Sequence, residues 1–482
     1  MTTKRGSKRS NGSTPVQVTS EPKRVMNLSH WIADRKESVA RLKIFQALFL
    51  VFTLFKYLCL IGWKKGFYAA HAATLGYERL AVSVSGWKLS PVIARLNDNL
   101  LSLLKANTSK NPLVDSYITS PEASRYREEF RSYGSEHQIR LRYPRSDDET
   151  SRQGDLLILK PCMSAKEKGV VLVQYNDAFN KFVSLYDLKL VGDCYRIVLE
   201  PSTWGYRDPA ILSFLNLRTQ VIVQAQYGPD FEYIQSLGAN LVPLRLGAGD
   251  WIDDDLFQPT PFGEKIHDIV MVASWQRIKR HELLFDAVRK CNGAVGKIAL
   301  IGYPSSGRTR EDVIYEAKQY GVAEQLDIYE NIPRSDVSRI VSRSKIGVML
   351  TLREGANKGI YECLFSGVPV VISDRNIGVN REHINELTGL AASDENLAEA
   401  IVCLLENIHS YSPRQWALKA TGYKNSSRLL NNCLKACAVG VGEEWTQDIY
   451  TKKNDTNARY VFERDRLAAD KAIVHLRQFL RN

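Results

Sequence analysis

The sequence predicts an α/β fold with two parallel-sheet domains that face a cleft, preceded by an N-terminal helical and hydrophobic extension. From about residue 151, short apolar runs of strand type alternate with helical stretches. The same alternation of strand-type and helical stretches begins again after Trp251–Gly263, a segment with three acids and two prolines that we interpret as a linker. This alternation is typical of a parallel sheet covered by helices on both faces. Two such sheets form a cleft, where ligands commonly bind.

The strand-type runs divide into two groups. Those of the first domain, 151–263, are Asp155–Leu159, Gly169–Gln174, Arg196–Leu199 and Gln220–Gln224. Those of the second domain, 264–410, are Asp268–Ala273, Lys297–Gly302, Leu326–Tyr329, Lys345–Leu350 and Val368–Ile372. Helices are predicted at Pro209–Leu217, Asp230–Leu237, Glu282–Lys290, Glu311–Tyr320 and Lys358–Phe365. Residues 411–482 are predicted as C-terminal helices, of which the last covers Asn457–Arg481.

The basic excess of the chain lies mostly at its N-terminus. The formal net charge is +12, and it is concentrated in residues 1–43, which we predict to be a disordered tail. Such a tail suits an anionic membrane surface or nucleic acid, or it is simply a solvated arm.

Residues 44–65 form a hydrophobic segment that predicts a helix and a possible membrane anchor. Ile44–Trp63 is mostly apolar over a length that could cross a bilayer, although Lys56 interrupts it. A membrane-embedded anchor, an interfacial helix and a buried soluble helix all remain open. Residues 66–150 are predicted to be a mostly helical extension without recognisable chemistry.

The cysteines indicate a reducing compartment. Eight of them are scattered along the chain without a CxxC pair, and no Cys/His cluster has the spacing of a zinc site. We therefore expect a cytoplasmic protein, associated with the cytoplasmic face of a membrane.

The segment Leu350–Ser373 holds the strongest chemical signal. A strand ends near Leu352, a polar turn follows, and a helix then begins whose free N–H groups can bind a phosphate. Glu354 lies before this helix and Glu362 lies within it. One carboxylate could face a sugar, and the other could accept hydrogen bonds from vicinal ribose hydroxyls. The alternative is an ordinary strand–turn–helix with solvent-facing glutamates.

This string resembles the donor-site signature of retaining glycosyltransferases of the GT-B fold, which has two Rossmann-like domains, and in particular glycosyltransferase family 4 (group 1). The matched residues are Glu354, Gly355, Glu362, Gly367, Pro369, Val370 and Val371. The resemblance implies that Glu354 contacts the donor sugar and Glu362 the ribose. It also implies donor contacts from the turn, which comprises Gly355, Ala356, Asn357 and Lys358. Asn357 and Lys358 replace an apolar pair that is usual in the family.

The segment Ile269–Val288 resembles the first strand, loop and helix of the nucleotide-binding domain of that family. Lys279 falls on the position of a lysine that contacts the diphosphate, which makes it, with Glu354, a candidate catalytic residue. Ser274 stands where the family has an arginine, so Arg277 or Arg280 would supply the second charge. Further positions matched to the nucleotide are Gly302, Ile332 and Pro333. The family also leads us to expect the last helix to cross back onto the first domain.

Residues after two strands of the first domain are candidates for the acceptor side, because strand ends of a parallel sheet face the crevice. They are Asn176, Asp177, Trp204 and Tyr206. Ordinary loop packing is the alternative interpretation.

The triplet Asp253–Asp255 could be a metal-binding Asp-x-Asp, but its place in the linker favours solvation of a hinge. We therefore expect no metal and no cofactor beyond the nucleotide-sugar co-substrate.

The expected function is transfer of a sugar from a nucleotide-diphosphate sugar to a glycan or lipid-linked acceptor, with retention, in polysaccharide or glycoconjugate synthesis. Three alternatives are a catalytically silent relative, a Rossmann oxidoreductase and a nucleic-acid binder. The oxidoreductase would need a Gly-x-Gly-x-x-Gly after a strand, and the sequence has none. Nucleic acid is not an expected partner, because the basic excess lies in the tail rather than on the folded part.

Overall fold

The computed structural model describes residues 114–115, 118–119, 123–124, 127–128, 156–201, 209–238, 240–354, 357–454 and 458–481. All of them lie within one compact unit, residues 57–482. The predicted tail, the hydrophobic segment 44–65 and almost all of the extension over 66–150 lie outside the described residues. Within the described ranges, no helix is long and apolar enough to span a membrane.

The first domain is built on a five-stranded sheet. Its strands are β1 (Leu156–Lys160), β2 (Gly169–Gln174), β3 (Tyr195–Glu200), β4 (Val221–Gln224) and β5 (Leu241–Leu244), in that spatial order. Strands β2 to β5 are parallel, as predicted, but β1 runs antiparallel to β2. The reason is the short connection between β1 and β2, which can form a hairpin but is too short for a parallel crossover.

The described residues of this domain include the helices α1 (Asn176–Leu185), α2 (Leu188–Cys194), α3 (Pro209–Leu212) and α4 (Gly228–Leu237). Helix α3 is shorter than the predicted Pro209–Leu217. The chain leaves the helical conformation before Asn216, which adopts a left-handed backbone with φ 65°.

The second domain contains a six-stranded parallel sheet in the order β11-β10-β9-β6-β7-β8. Its strands are β6 (His267–Val272), β7 (Ile298–Gly302), β8 (Leu326–Glu330), β9 (Ser344–Met349), β10 (Val370–Ser373) and β11 (Gly389–Ala392). The helices between them are α5 (His281–Lys290), α6 (Arg310–Tyr320), α7 (Arg334–Ser342), α8 (Lys358–Phe365) and α9 (Leu397–Glu406). With the first sheet, this confirms the predicted α/β class.

The C-terminal segment returns to the first domain. It comprises α10 (Pro413–Ala420), α11 (Gly422–Val439), β12 (Lys452–Asn454), β13 (Ala458–Tyr460) and α12 (Glu463–Arg477). Leu430 and Leu434 of α11 pack on one face of the first sheet, and Ala469 and Leu476 of α12 join the core on its other face. The prediction of one helix over Asn457–Arg481 is wrong at its start, where β13 pairs antiparallel with β12.

The strand order of the second sheet places a crevice beside β6. The chain runs from β6 to β7 and β8 on one side, and β9 then pairs with the other side of β6. The loops that follow β6 and β9 therefore diverge at a topological switch point, which is where open α/β sheets bind ligands.

Candidate functional site

Lys279 and Glu354 meet at this switch point. Lys279 lies on the loop after β6, Glu354 lies on the loop after β9, and the Lys279 ammonium forms an ion pair with the Glu354 carboxylate. Each side chain is 16% exposed, so the pair is accessible from the crevice. The two residues that the sequence nominated as catalytic are therefore in direct contact.

The loop that carries Lys279 is held in place by its neighbours. Arg277–Lys279 form a single 3-10 turn, and Arg280 then adopts a left-handed backbone with φ 63° before α5 begins. The Arg280 guanidinium forms an ion pair with Asp394 and donates to the carbonyl of Leu350 at 3.4 Å. Because Arg280 is engaged in this way, its role in the structure is to tie the loop to the end of β9.

The loop that carries Glu354 is held by backbone hydrogen bonds to the loop after β10. The Glu354 N–H donates to the carbonyl of Ile377 at 3.0 Å, and the Ile377 N–H donates to the carbonyl of Leu352 at 2.8 Å. These bonds extend the β9–β10 pairing beyond the strands and hold Glu354 at the carboxyl edge of the sheet.

The N-terminus of α8 points a set of backbone N–H groups into the same region. Asn357 precedes the helix in a left-handed conformation, and its buried Nδ2 has no hydrogen-bond partner among the described residues. Gly359 lies in the first turn, where a Cβ would come within 2.9 Å of Met349 Cε. The helix start therefore packs closely on β9, and the kind of site that a helix N-terminus with an unsatisfied amide donor suits is one for an anion.

Glu362 lies one turn into α8 and is almost completely buried. Its Oε1 accepts a hydrogen bond from Arg334 Nη1 at 2.5 Å, and its Oε2 has no partner in the part of the chain that the structure describes. Arg334 is the first residue of α7, directly after Pro333. Arg334 is not among the predicted site residues, because an arginine at the start of an amphipathic helix carries no distinctive pattern.

Lys358 is half-buried at the start of α8. Its burial, together with the nearby Arg334 guanidinium, lowers the pKa of Lys358 to about 8. The carboxylates of Glu362 and Glu200 act in the opposite direction. Lys358 therefore lies close enough to interact electrostatically with Glu362 in its own domain and with Glu200 at the carboxyl end of β3.

The remaining donor-side candidates have different environments. Arg277 is exposed, and Ser274, at the position of the family arginine, is buried. Gly302 ends β7, where a Cβ would collide with the carbonyl of Ala273 and approach Trp275 Cζ3 within 2.7 Å. Close packing therefore requires glycine at this position. Gly355 and Ala356 lie outside the described residues.

The acceptor-side candidates can be placed only in part. Asn176 is buried at the start of α1, and Asp177 follows it in the first turn of that helix. Trp204 and Tyr206 lie outside the described residues.

A buried polar group that was not predicted from the sequence lies at the carboxyl edge of the first sheet. Lys452 of β12 donates to Glu200 Oε2 at 2.7 Å, and its ammonium lies 3.9 Å from the centre of the Trp251 ring. Gln174, at the end of β2, donates to the other oxygen of Glu200. The end of a strand that is buried on both faces gives no polar pattern, and the partner lysine lies 252 residues away in sequence.

The predicted role of the acidic triplet is wrong for two of its members. Asp253 and Asp254 are buried, and they pair with Lys453 and, at 3.0 Å, with Lys424. Asp255 is exposed, but it also accepts a hydrogen bond from the Tyr423 hydroxyl at 3.2 Å. The triplet therefore fastens the linker to the C-terminal segment.

The second domain matches a known family. Residues 253–424 match the family model described as glycosyl transferases group 1. This confirms the enzyme class predicted from the sequence, a glycosyl transferase. No curated protein matches the chain.

Several solved structures are similar to the chain at low identity. Sucrose-phosphate synthase from Thermosynechococcus elongatus is 15% identical, with a TM-score of 0.45 over 56% of this chain and 74% of that one. The lipopolysaccharide outer core galactosyltransferase WaaB is 15% identical, with a TM-score of 0.42 over 54% and 72%. HepE of Anabaena, in complex with UDP and glucose, is 14% identical, with a TM-score of 0.43 over 55% and 77%.

Proposed function

We propose that the chain is a retaining glycosyltransferase of family 4 that moves a sugar from a nucleoside-diphosphate sugar to an acceptor hydroxyl. The observation that carries this proposal is the meeting of Lys279 and Glu354 at the switch point, beside the N-terminus of α8. A cation and a helix N-terminus suit a diphosphate, and an adjacent carboxylate suits the hydroxyls of a sugar. Retention rests on the resemblance to the family.

In this proposal, the donor side stabilises the departing diphosphate. Negative charge develops on the diphosphate as the glycosidic bond breaks, and positive charge develops on the sugar. Lys279, Lys358 and the N–H groups of α8 would stabilise the negative charge. Glu354 would hold the sugar, and Glu362 Oε2 would accept a hydrogen bond from the ribose.

The acceptor would approach from the first domain. Glu200 and Lys452 form a polar group at its carboxyl edge, within electrostatic reach of Lys358. We propose a glycan or lipid-linked acceptor in polysaccharide or glycoconjugate synthesis, at the cytoplasmic face of a membrane. The basic N-terminal tail would favour an anionic surface.

We also propose that transfer needs no metal. Lysines already neutralise Asp253 and Asp254, and basic side chains are available for the diphosphate. Transfer that is unchanged after chelation with EDTA would support this proposal, and activity that is lost on chelation and restored by Mg²⁺ or Mn²⁺ would contradict it.

A donor screen tests the function directly. Purified protein is mixed with UDP-glucose, UDP-galactose, UDP-N-acetylglucosamine, GDP-mannose and ADP-glucose, and its melting temperature is compared with that of protein alone. A donor that binds raises the melting temperature by mass action. Donor hydrolysis or transfer is then followed by NMR, which also reports the anomeric configuration of the product. Undiminished turnover in both Lys279→Ala and Glu362→Ala would contradict the site assignment.

One alternative has a specific observation in its favour. Ser274 is buried where the family has a diphosphate-binding arginine, so the chain could be a silent relative that binds a nucleotide sugar without transferring it. Such a protein would show the thermal shift but neither hydrolysis nor transfer.

A further inference from the structure

The ion pair between Arg334 and Glu362 joins two helices of the second domain at the candidate donor site. Arg334 Nη1 donates to Glu362 Oε1 at 2.5 Å, and the Glu362 side chain is 2% exposed. Arg334 is itself held in place, because its guanidinium carbon lies 5.0 Å from the centre of the Phe257 ring. The pair is therefore a fixed feature of the site.

The two oxygens of the Glu362 carboxylate have different environments. Arg334 engages Oε1, whereas Oε2 is buried and has no hydrogen-bond partner among the described residues. An acceptor that is buried without a partner is costly, so its presence beside a helix N-terminus points to a ligand that donates to it. A ribose hydroxyl is such a donor.

We propose that Arg334 is a positioning residue that holds the Glu362 carboxylate by Oε1, so that Oε2 is turned to accept a hydrogen bond from the donor ribose. This inference rests on the proposed function, because it assumes that a nucleotide binds at the site. Its consequence is selectivity for ribonucleoside over deoxyribonucleoside diphosphates, which nothing else in the described site explains.

Arginine suits this role for a physical reason. A buried carboxylate is costly without a charged partner, and a charge-assisted hydrogen bond from a cation offsets that cost. A guanidinium stays charged at any physiological pH and fixes the plane of the carboxylate. Lys358 is the other cation near Glu362, but its pKa of about 8 makes its charge dependent on pH.

The test compares ribose discrimination in matched variants. Isothermal titration is carried out with UDP and GDP, each beside its 2′-deoxy and 3′-deoxy counterpart, on wild type, Arg334→Met, Arg334→Lys and Glu362→Gln. The wild type is expected to prefer a ribonucleotide over at least one deoxy form by roughly tenfold, the value of one charge-assisted hydrogen bond. In Arg334→Met this ratio should fall below about threefold, and Arg334→Lys should recover part of it.

Two further variants show whether Arg334 acts through Glu362. Arg339 lies on the same helix and pairs at the surface with Asp336, so Arg339→Met should keep the wild-type ratio. The double variant Arg334→Met/Glu362→Gln should discriminate between ribo and deoxy forms no less than Glu362→Gln alone, because both changes remove the same interaction. If Arg334→Met does not fold, as judged by circular dichroism, the ratio of ribonucleotide to deoxyribonucleotide affinity in Arg334→Lys decides whether Arg334 positions Glu362.

The outcomes separate this inference from the proposed function. If the wild type discriminates and Arg334→Met keeps the same ratio, the inference is wrong and the proposed function stands. If Arg334→Met weakens ribo and deoxy forms equally, Arg334 contacts the diphosphate instead, and the positioning role is again wrong. If the wild type binds none of these nucleotides, the proposed function fails for them and the inference fails with it.

Discussion

Lys279 and Glu354, which lie 75 residues apart in sequence, form an ion pair across the switch point of the second sheet. A donor whose diphosphate contacts Lys279 therefore has to compete with Glu354 for that ammonium. The same donor gives Glu354 new partners, because sugar hydroxyls can donate to its carboxylate. In the proposed function, the pair would link the binding of the diphosphate to the binding of the sugar.

Replacement of Lys279 should lower turnover strongly. If Lys279 stabilises the departing diphosphate, Lys279→Ala should reduce kcat for donor hydrolysis or transfer by roughly 100- to 1000-fold, and Lys279→Arg should reduce it less. Lys290→Ala is a suitable control, because Lys290 lies on α5 and pairs at the surface with Asp286. A kcat for Lys279→Ala within threefold of the wild-type value would exclude this role.

Replacement of Glu354 should affect binding and turnover in opposite directions. Glu354→Gln frees the Lys279 ammonium, so a nucleoside diphosphate without a sugar should bind about two- to fivefold more tightly, a modest gain because the pair is partly exposed. Turnover of the complete donor should fall, because the sugar loses a charged partner. Isothermal titration and initial rates measure the two effects. Weaker binding of the free diphosphate to Glu354→Gln would show that Glu354 does not compete with the diphosphate for Lys279.

The charge of Lys358 should make diphosphate affinity dependent on pH. Burial, aided by Arg334, lowers the pKa of Lys358 to about 8, so the ammonium is charged at pH 7 and largely neutral at pH 9. The diphosphate is fully ionised over this range, because the second pKa of a phosphate is about 6. Affinity should therefore fall as the pH rises from about 7 to 9, which isothermal titration can follow.

Two variants serve as controls for this pH effect. Lys358→Arg should bind equally well at both pH values, because arginine stays charged. Lys358→Met should bind weakly at both. The lowered pKa of Lys358 also affects folding. Because the pKa of Lys358 is lower in the folded than in the unfolded protein, the free energy of unfolding should rise with pH above about 8 in the wild type but not in Lys358→Met. A wild-type affinity that does not change between pH 7 and 9 would contradict the role of Lys358.

The strand positions that could be predicted are those with continuous Val, Ile and Leu. Gly169–Gln174 is a strand with the predicted bounds, and Ile298–Gly302 is one residue shorter than its predicted run. Leu241–Leu244 and Gly389–Ala392 were missed, because Pro243 interrupts the first and the second has no β-branched residue. Both are edge strands with half-buried residues, where the apolar signal is weakest.

The site residues could be predicted where one continuous segment carries both the charged side chains and the strand–turn–helix that positions them. Glu354, Lys358 and Glu362 lie on one strand–turn–helix, so their spacing alone places them around a helix start. Arg334 and Lys452 reach their carboxylate partners only through the tertiary fold. Nothing in the local sequence of either residue indicates which carboxylate it will pair with.

The buried pair of Glu200 and Lys452 should make a large contribution to stability. Loss of one partner leaves the other charge buried and unpaired, so Glu200→Leu or Lys452→Met should each cost about 3–5 kcal/mol of unfolding free energy in urea. The double variant should cost less than the sum, because no charge is then left buried. Strictly additive losses would show that the two groups act independently. Lys290→Met, at an exposed pair, should change little.

Gly302 should be required for packing, independently of the nucleotide contact that the family resemblance implies for it. In Gly302→Ala, the new Cβ would collide with the Ala273 carbonyl and with the Trp275 ring, both of which are buried and cannot yield easily. We expect a loss of about 1–3 kcal/mol in unfolding free energy. Gly263→Ala is the matched control, because a Cβ there meets no atom within 4 Å among the residues that the structure describes. If Gly302→Ala kept wild-type stability and lost only nucleotide affinity, the glycine would serve the ligand rather than the fold.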